Sequence, residues 1–135
     1  MIRTLQKFEI QRIEILNEKG EADKKLLPKM SEKQIIEMYR WMYITREFDA
    51  KAVALQRTGR LGTYASMLGQ EATIIGSAYA LRKQDWIFPS FRYSGGMILR
   101  GIPMDKLYSF WGGDERGAKP PENVNVFPLC ITVGE

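Results

Sequence analysis

Two short stretches combine residue types able to hold an anion. One is Pro89-Ser90-Phe91-Arg92-Tyr93-Ser94-Gly95-Gly96, and the other is Arg57-Thr58-Gly59-Arg60-Leu61-Gly62. In the first, a proline halts an apolar run and a new helix is expected to follow. Free backbone N–H groups and an arginine would then meet at the carboxyl end of a strand, where α/β sheets take phosphorylated ligands. The planar fork of Arg92 could grip a diphosphate through two parallel hydrogen bonds. Gly95 and Gly96 would allow close backbone approach. The same spacing also fits an exposed arginine at a helix start. In the second stretch, glycines beside arginines could present N–H groups and cations to an anion. A helix end followed by a turn explains both glycines equally well, and the pattern matches neither the P-loop nor the G-x-G-x-x-G fingerprint.

What is missing narrows the chemistry. Histidine is absent from the 135 residues, so no His-based triad or His metal site can be assembled from this chain. No carboxylate pair or metal-ligand spacing occurs, and Asp114-Glu115 reads as a solvated pair in a loop. With Cys130 as the single cysteine there is no internal disulfide, and a reducing, cytoplasmic setting is expected. The net charge of +4 is spread without a basic stripe, so a nucleic-acid partner is not expected. No run of 18 apolar residues and no signal-peptide core appears, which argues against a membrane partner.

Several elements must position the arginine turn. Residues 5–16 read as an extended arm ending in the turn Asn17-Glu18-Lys19-Gly20, and residues 17–30 as a polar linker stopped by Pro28. Ser31, with Gln34 three residues on, marks a helix start. No Gly or Pro interrupts from Glu32 to about Thr58, and Gly59 is a natural stop. Ile35, Met38, Tyr39 and Met42 would form one apolar face. Trp41-Met42-Tyr43-Ile44 is apolar all round, implying cover on more than one side. A second helix is predicted from Gln70 to about Lys83, then a buried strand Asp85–Phe88 closed by Pro89. Ser90 would cap a helix running through Arg92 to Leu99, and Met104–Trp111 would form another, closed by Gly112-Gly113. Residues 114–125 read as a loop, and Val126 to Val133 as a final extended apolar run. Trp41, Tyr43, Trp86, Phe88 and Trp111 are expected in the core. The alternation predicts an α/β fold, with an N-terminal arm and linker over 1–30 and the main domain over 31–135.

From about Leu27 onward the chain resembles the N-terminal part of the alpha subunit of thiamine-diphosphate-dependent 2-oxo acid dehydrogenase E1 components, of the pyruvate, branched-chain 2-oxo acid and acetoin type. The resemblance is carried by Gln56-Arg57-x-Gly59-Arg60-Leu61-Gly62-x-Tyr64, Gly69-Gln70-Glu71-Ala72, Asp85-Trp86-Ile87-Phe88-Pro89-Ser90-Phe91-Arg92, Arg100-Gly101-x-Pro103 and Asn123-Val124-Asn125-Val126, in that order. It implies a thiamine-diphosphate-binding fold and an α2β2 heterotetramer with an E1 beta subunit, the cofactor lying between the subunits. It further implies a small 2-oxo acid substrate and acyl transfer to the lipoyl domain of E2. The family's Tyr-Arg pair on the diphosphate falls on Phe91-Arg92, where Phe91 lacks the hydroxyl. Backbone contacts to the aminopyrimidine map to Ile131 and Val133, and Thr63 to Ser66 are expected to line the substrate entrance. Some relatives hold a monovalent cation in the span that includes Cys130, Thr132 and Glu135. The Gly-Asp-Gly to Asn-Asn motif for Mg²⁺ does not occur, so metal ligands and catalytic residues are expected outside this span. A truncated alpha subunit, inactive alone, is therefore expected. The rival expectation is a stand-alone helical interaction module docking through Trp41–Ile44.

Overall fold

The computed structural model describes residues 1–127, and the chain divides into two units, Met1–Ser31 and Glu32–Glu135. In the first unit, residues 1–14 adopt no regular element, and Leu5, Phe8, Ile10 and Ile13 are exposed. Beyond them the chain reverses around Asn17. Its side-chain oxygen accepts from the N–H groups of Lys19 (3.0 Å) and Glu21 (2.9 Å), and Leu16 pairs with Ala22 in one antiparallel bridge. An asparagine folding the backbone onto its own side chain is a turn device. The expected linker therefore begins as a built turn.

Among its described residues the second unit contains four α-helices: α1 (Glu32–Arg57), α2 (Glu71–Ala80), α3 (Ser94–Leu99) and α4 (Met104–Trp111), followed by a 3₁₀ turn, Glu115–Gly117. Helix α1 runs 26 residues without Gly or Pro. It ends as the sequence predicts: Gly59 takes a positive φ of 72°, its N–H donates to Gln56 O (2.9 Å), and the Arg60 N–H donates to Leu55 O (2.9 Å). That pair of bonds is the Schellman arrangement, which satisfies carbonyls the helix leaves open. The stretch around Gly59 is thus a helix end.

Thr45, Phe48, Asp49 and Ala52 are the buried residues of α1, spaced i, i+3, i+4, i+7 along one stripe. Helices α2 and α3 pack on α1. Helix α4 joins it through the stacked rings of Phe48 and Tyr108, 4.4 Å between centroids. The expected apolar face nearer the start of α1 is not covered by the described residues of this unit. Ile35, Tyr39 and Tyr43 are exposed, while Met38, Trp41, Met42 and Ile44 are partly buried against the core.

Three other expectations change. Helix α2 stops at Ala80 rather than near Lys83. Leu81 turns extended (ψ 144°), and the Arg82 N–H bonds the side chain of Asp85 (2.8 Å), a local bond that competes with helix continuation. The arginine turn precedes α3 instead of lying inside it: Tyr93 N–H donates to Ser90 O (3.1 Å), and helical geometry begins only at Ser94. Among the described residues the α/β expectation is represented by helices and one parallel bridge, Ile87 to Val126. Pro89, two residues after Ile87, has no N–H to extend the ladder. Along this extended piece Ile87 points inward while Trp86 and Phe88 are exposed, their rings meeting Phe127. The strand period of two, with one side open, places them outside the core. No helix among the described residues is long and apolar enough to cross a membrane.

Two local features give predictions. The Arg46 guanidinium donates to the buried Glu71 carboxylate and holds its pKa below the usual carboxylate range, against the opposing effect of burial. A carboxyl lowered in the folded state stabilises above its unfolded value of about 4.3 and loses that contribution as pH falls through the folded value. Glu71→Gln should therefore be less stable than the parent at pH 7, and the gap in urea midpoint should close below about pH 4. At Gly95, a Cβ would lie 2.5 Å from Thr45 Cγ2. Helix propensity favours alanine there by up to about 1 kcal/mol, but overpacking costs about 1–3 kcal/mol. Gly95→Ala should lower the melting temperature, and Thr45→Ala added to it should restore most of the loss.

Candidate functional site

The chain between α1 and α2 crosses the interior: Leu61, Tyr64 and Met67 are all buried. A buried loop must find partners for its polar groups. Asp49, on the inward stripe of α1 and 3% exposed, supplies them. One carboxylate oxygen accepts from the Tyr64 hydroxyl (2.8 Å) and the Met67 N–H (2.7 Å), and the other from the Ser66 hydroxyl (2.6 Å). Burial, then the bond to Asp49, pushes the Tyr64 hydroxyl pKa well above its ordinary value, so this phenol stays a donor. Tyr64 is also anchored edge-on to Trp111, 5.2 Å between centroids. The Trp111 carbonyl accepts from the Gly62 N–H (2.9 Å), fixing the start of the same loop.

A second set of bonds fixes where the arginine turn begins. Arg100 donates to the carbonyls of Arg82 (2.9 Å), Lys83 (2.8 Å) and Asp85 (2.8 Å), and the Asn125 side-chain amide donates to Gln84 O (3.1 Å). With the bridge bonds from Ile87 N–H to Asn125 O (3.0 Å) and from Phe127 N–H to Ile87 O (2.8 Å), they lock the segment that leads into Pro89. Phe91 and Arg92 are the central residues of the turn that follows.

The structure brings Arg92 to the Asp49-held loop: its Nη1 donates to the Ser66 carbonyl at 2.7 Å. The guanidinium lies 5.1 Å from the centre of the Phe91 ring, which is itself 56% exposed. Among the described residues no carboxylate forms an ion pair with Arg92. A half-buried cation held by a neutral carbonyl keeps its charge and its remaining N–H donors for an external anion. That donor set fits a phosphate or diphosphate group. Phe91 offers ring surface and no hydrogen-bond donor from its side chain. Ile131 and Val133 lie outside the described residues, as do Cys130, Thr132 and Glu135.

Other expectations divide. At Gly95 and Gly96 the close approach is made by the protein itself: both are buried, and the space their side chains would need is occupied by Thr45 and Tyr93. They let α3 close on its neighbours, and the Tyr93 hydroxyl then meets Ser77 Oγ at 2.8 Å. Within Thr63–Ser66, Thr63 is exposed, whereas the Tyr64 and Ser66 hydroxyls are both directed to Asp49. Among the described residues no group of three or more His, Cys, Asp or Glu side chains could hold a metal ion. The role of Asp49 escaped the sequence reading. Its signal was faint, the one acid in register with Thr45, Phe48 and Ala52 on the inward stripe.

Residues 39–131 match the family model described as dehydrogenase E1 component. The chain is 37% identical over 113 residues to the pyruvate dehydrogenase E1 component subunit alpha of Acholeplasma laidlawii, covering 84% of this chain and 33% of that protein. It is 37% identical over 127 residues to the Bacillus cereus protein of the same name, covering 93% of this chain and 34% of the relative. For the Staphylococcus aureus protein the identity is 37% over 132 residues, covering 97% and 35%. The chain spans about a third of the length of these curated relatives. The match covers the Asp49-held loop, the Arg92 turn and the Ile87–Val126 bridge together, and the chain belongs to the dehydrogenase E1 component family.

Proposed function

We propose that the chain is the N-terminal part of an E1 alpha subunit whose assembled enzyme oxidatively decarboxylates a 2-oxo acid on thiamine diphosphate and passes the acyl group to the lipoyl domain of E2. The observation that carries this reading is the Arg92 guanidinium, anchored on the Ser66 carbonyl and without an ion-pair partner among the described residues. Pyruvate is the first candidate substrate, because the curated relatives bear that name; a branched-chain 2-oxo acid is the second. When bound, thiamine diphosphate supplies the carbanion chemistry. This chain's part is to hold the diphosphate through Arg92 with Phe91 beside it, and the aminopyrimidine through backbone groups at Ile131 and Val133. Magnesium ligands are expected from other segments, since the Gly-Asp-Gly to Asn-Asn motif does not occur in these 135 residues.

The exposed apolar residues of α1, Ile35, Ile36, Tyr39 and Tyr43, suit burial in an α2β2 assembly with an E1 beta subunit. A stand-alone interaction module would instead dock through Trp41–Ile44, where Tyr43 is exposed and the other three are partly buried, and it predicts a functional partner without any cofactor. The parallel bridge at Ile87 supports a growing parallel sheet, and hence an α/β cofactor-binding fold. A cytoplasmic location accords with the single cysteine.

In the α2β2 enzyme, Arg92→Ala should weaken thiamine diphosphate binding roughly 10- to 150-fold, the cost of losing hydrogen bonds to a charged group. Unchanged affinity by calorimetric titration would remove the diphosphate reading. Phe91→Tyr should tighten the cofactor about fivefold, one regained hydrogen bond, and unchanged or weaker affinity would count against Phe91 lying at the diphosphate. The isolated 135-residue chain should show no thiamine-diphosphate-dependent turnover, whereas the full assembly should distinguish pyruvate from branched-chain 2-oxo acids by kcat/KM.

A further inference from the structure

A buried carboxylate facing only neutral donors is unusual enough to ask what holds it there. Among the described residues Asp49 has no ion-pair partner. Burial of an anion is tolerated here because three hydrogen bonds, from Tyr64, Ser66 and Met67, point at its two oxygens. Only an acceptor-only group can take all three: an asparagine would turn an NH₂ toward at least one donor. Two of these bonds fall on consecutive residues, the Ser66 side chain and the Met67 N–H. They grip the peptide unit whose carbonyl belongs to Ser66, so the carboxylate sets where that carbonyl points.

That carbonyl is where Arg92 is held, at 2.7 Å. The Met67 sulfur in turn accepts from the Gly95 N–H (3.4 Å) in the first turn of α3, tying the loop to the far side of the arginine turn as well. An unbroken path therefore runs from Asp49 through the Ser66–Met67 peptide to the guanidinium. We infer that Asp49 is a positioning residue for diphosphate binding, acting on Arg92 through the Ser66 carbonyl. The inference rests on the proposal that Arg92 grips the diphosphate. It assigns the carboxylate no contact with cofactor or substrate.

A double-mutant cycle on the assembled α2β2 enzyme separates this role from general support of the fold. The readout is equilibrium affinity for thiamine diphosphate in the presence of Mg²⁺, by titration calorimetry, with thermal unfolding recorded on the same samples. Asp49→Asn should weaken binding roughly tenfold in the parent background but less than twofold when Arg92 is already alanine, because residues acting through one another are non-additive. Equal weakening in both backgrounds would mean that the loop supports the fold without setting the arginine, and would overturn the inference. So would an Asp49→Asn enzyme with parental affinity. If Arg92→Ala alone leaves affinity unchanged, the diphosphate reading itself fails, which is a distinct result. Should Asp49→Asn not assemble, Ser66→Ala removes a single bond to the carboxylate while keeping the carbonyl. Its effect, about threefold, should likewise vanish in the Arg92→Ala background, and persistence there would again contradict the inference.

Discussion

The second unit depends on one buried charge. Asp49 sits where a helix of this kind would ordinarily bury an aliphatic side chain, between Phe48 and the Ala52 turn, and it is nearly sealed from solvent. Leaving its acceptors unmet would be expensive, as would leaving the loop's N–H and hydroxyl groups unmet. Neither set is stable inside without the other. The 60–70 loop is therefore bound to α1 by polar necessity, and apolar packing of Leu61, Tyr64 and Met67 completes the fit.

From that constraint the arrangement around Arg92 follows. A loop fixed at Ser66 presents a carbonyl in one place. The Arg100 and Asn125 bonds fix the incoming segment from the other side, and Arg92 spans the gap with one N–H. The guanidinium is thereby anchored without being neutralised. An arginine paired to a carboxylate would have given up the charge that an anionic ligand needs, whereas one held by a carbonyl retains it. Gly95 and Gly96 contribute by absence: with no side chains, α3 closes against Thr45 and the Tyr93 ring, keeping the turn from drifting outward.

Much of this was legible in the sequence, wherever Gly and Pro punctuate the chain. The ends of α1 and α4 were readable because Gly59 and Gly112 stop helices for stated reasons, and the end of the extended segment before Phe91-Arg92 was readable because Pro89 must close it. The start of α3 lies three residues beyond the expected one, since Ser90 has the right type for a cap but is spent on a turn with Tyr93. Trp86 and Phe88 lie in a short apolar run that reads as a buried strand; the alternation around Ile87 turns them out. Asp49 was easy to miss for a physical reason. An acid in a long helix that also carries Glu32, Glu37 and Glu47 is usually solvated, and only the register with Phe48 and Ala52 tells otherwise, while its donors lie 15 to 18 positions away in the chain.

The most direct test of the account is a structure of the assembled α2β2 enzyme with thiamine diphosphate bound. The account predicts a diphosphate oxygen within about 2.7–3.2 Å of the Arg92 guanidinium, with the Ser66 carbonyl still holding its other edge. A diphosphate bound away from the Phe91-Arg92 turn, with Arg92 facing solvent or paired to a carboxylate, would contradict it.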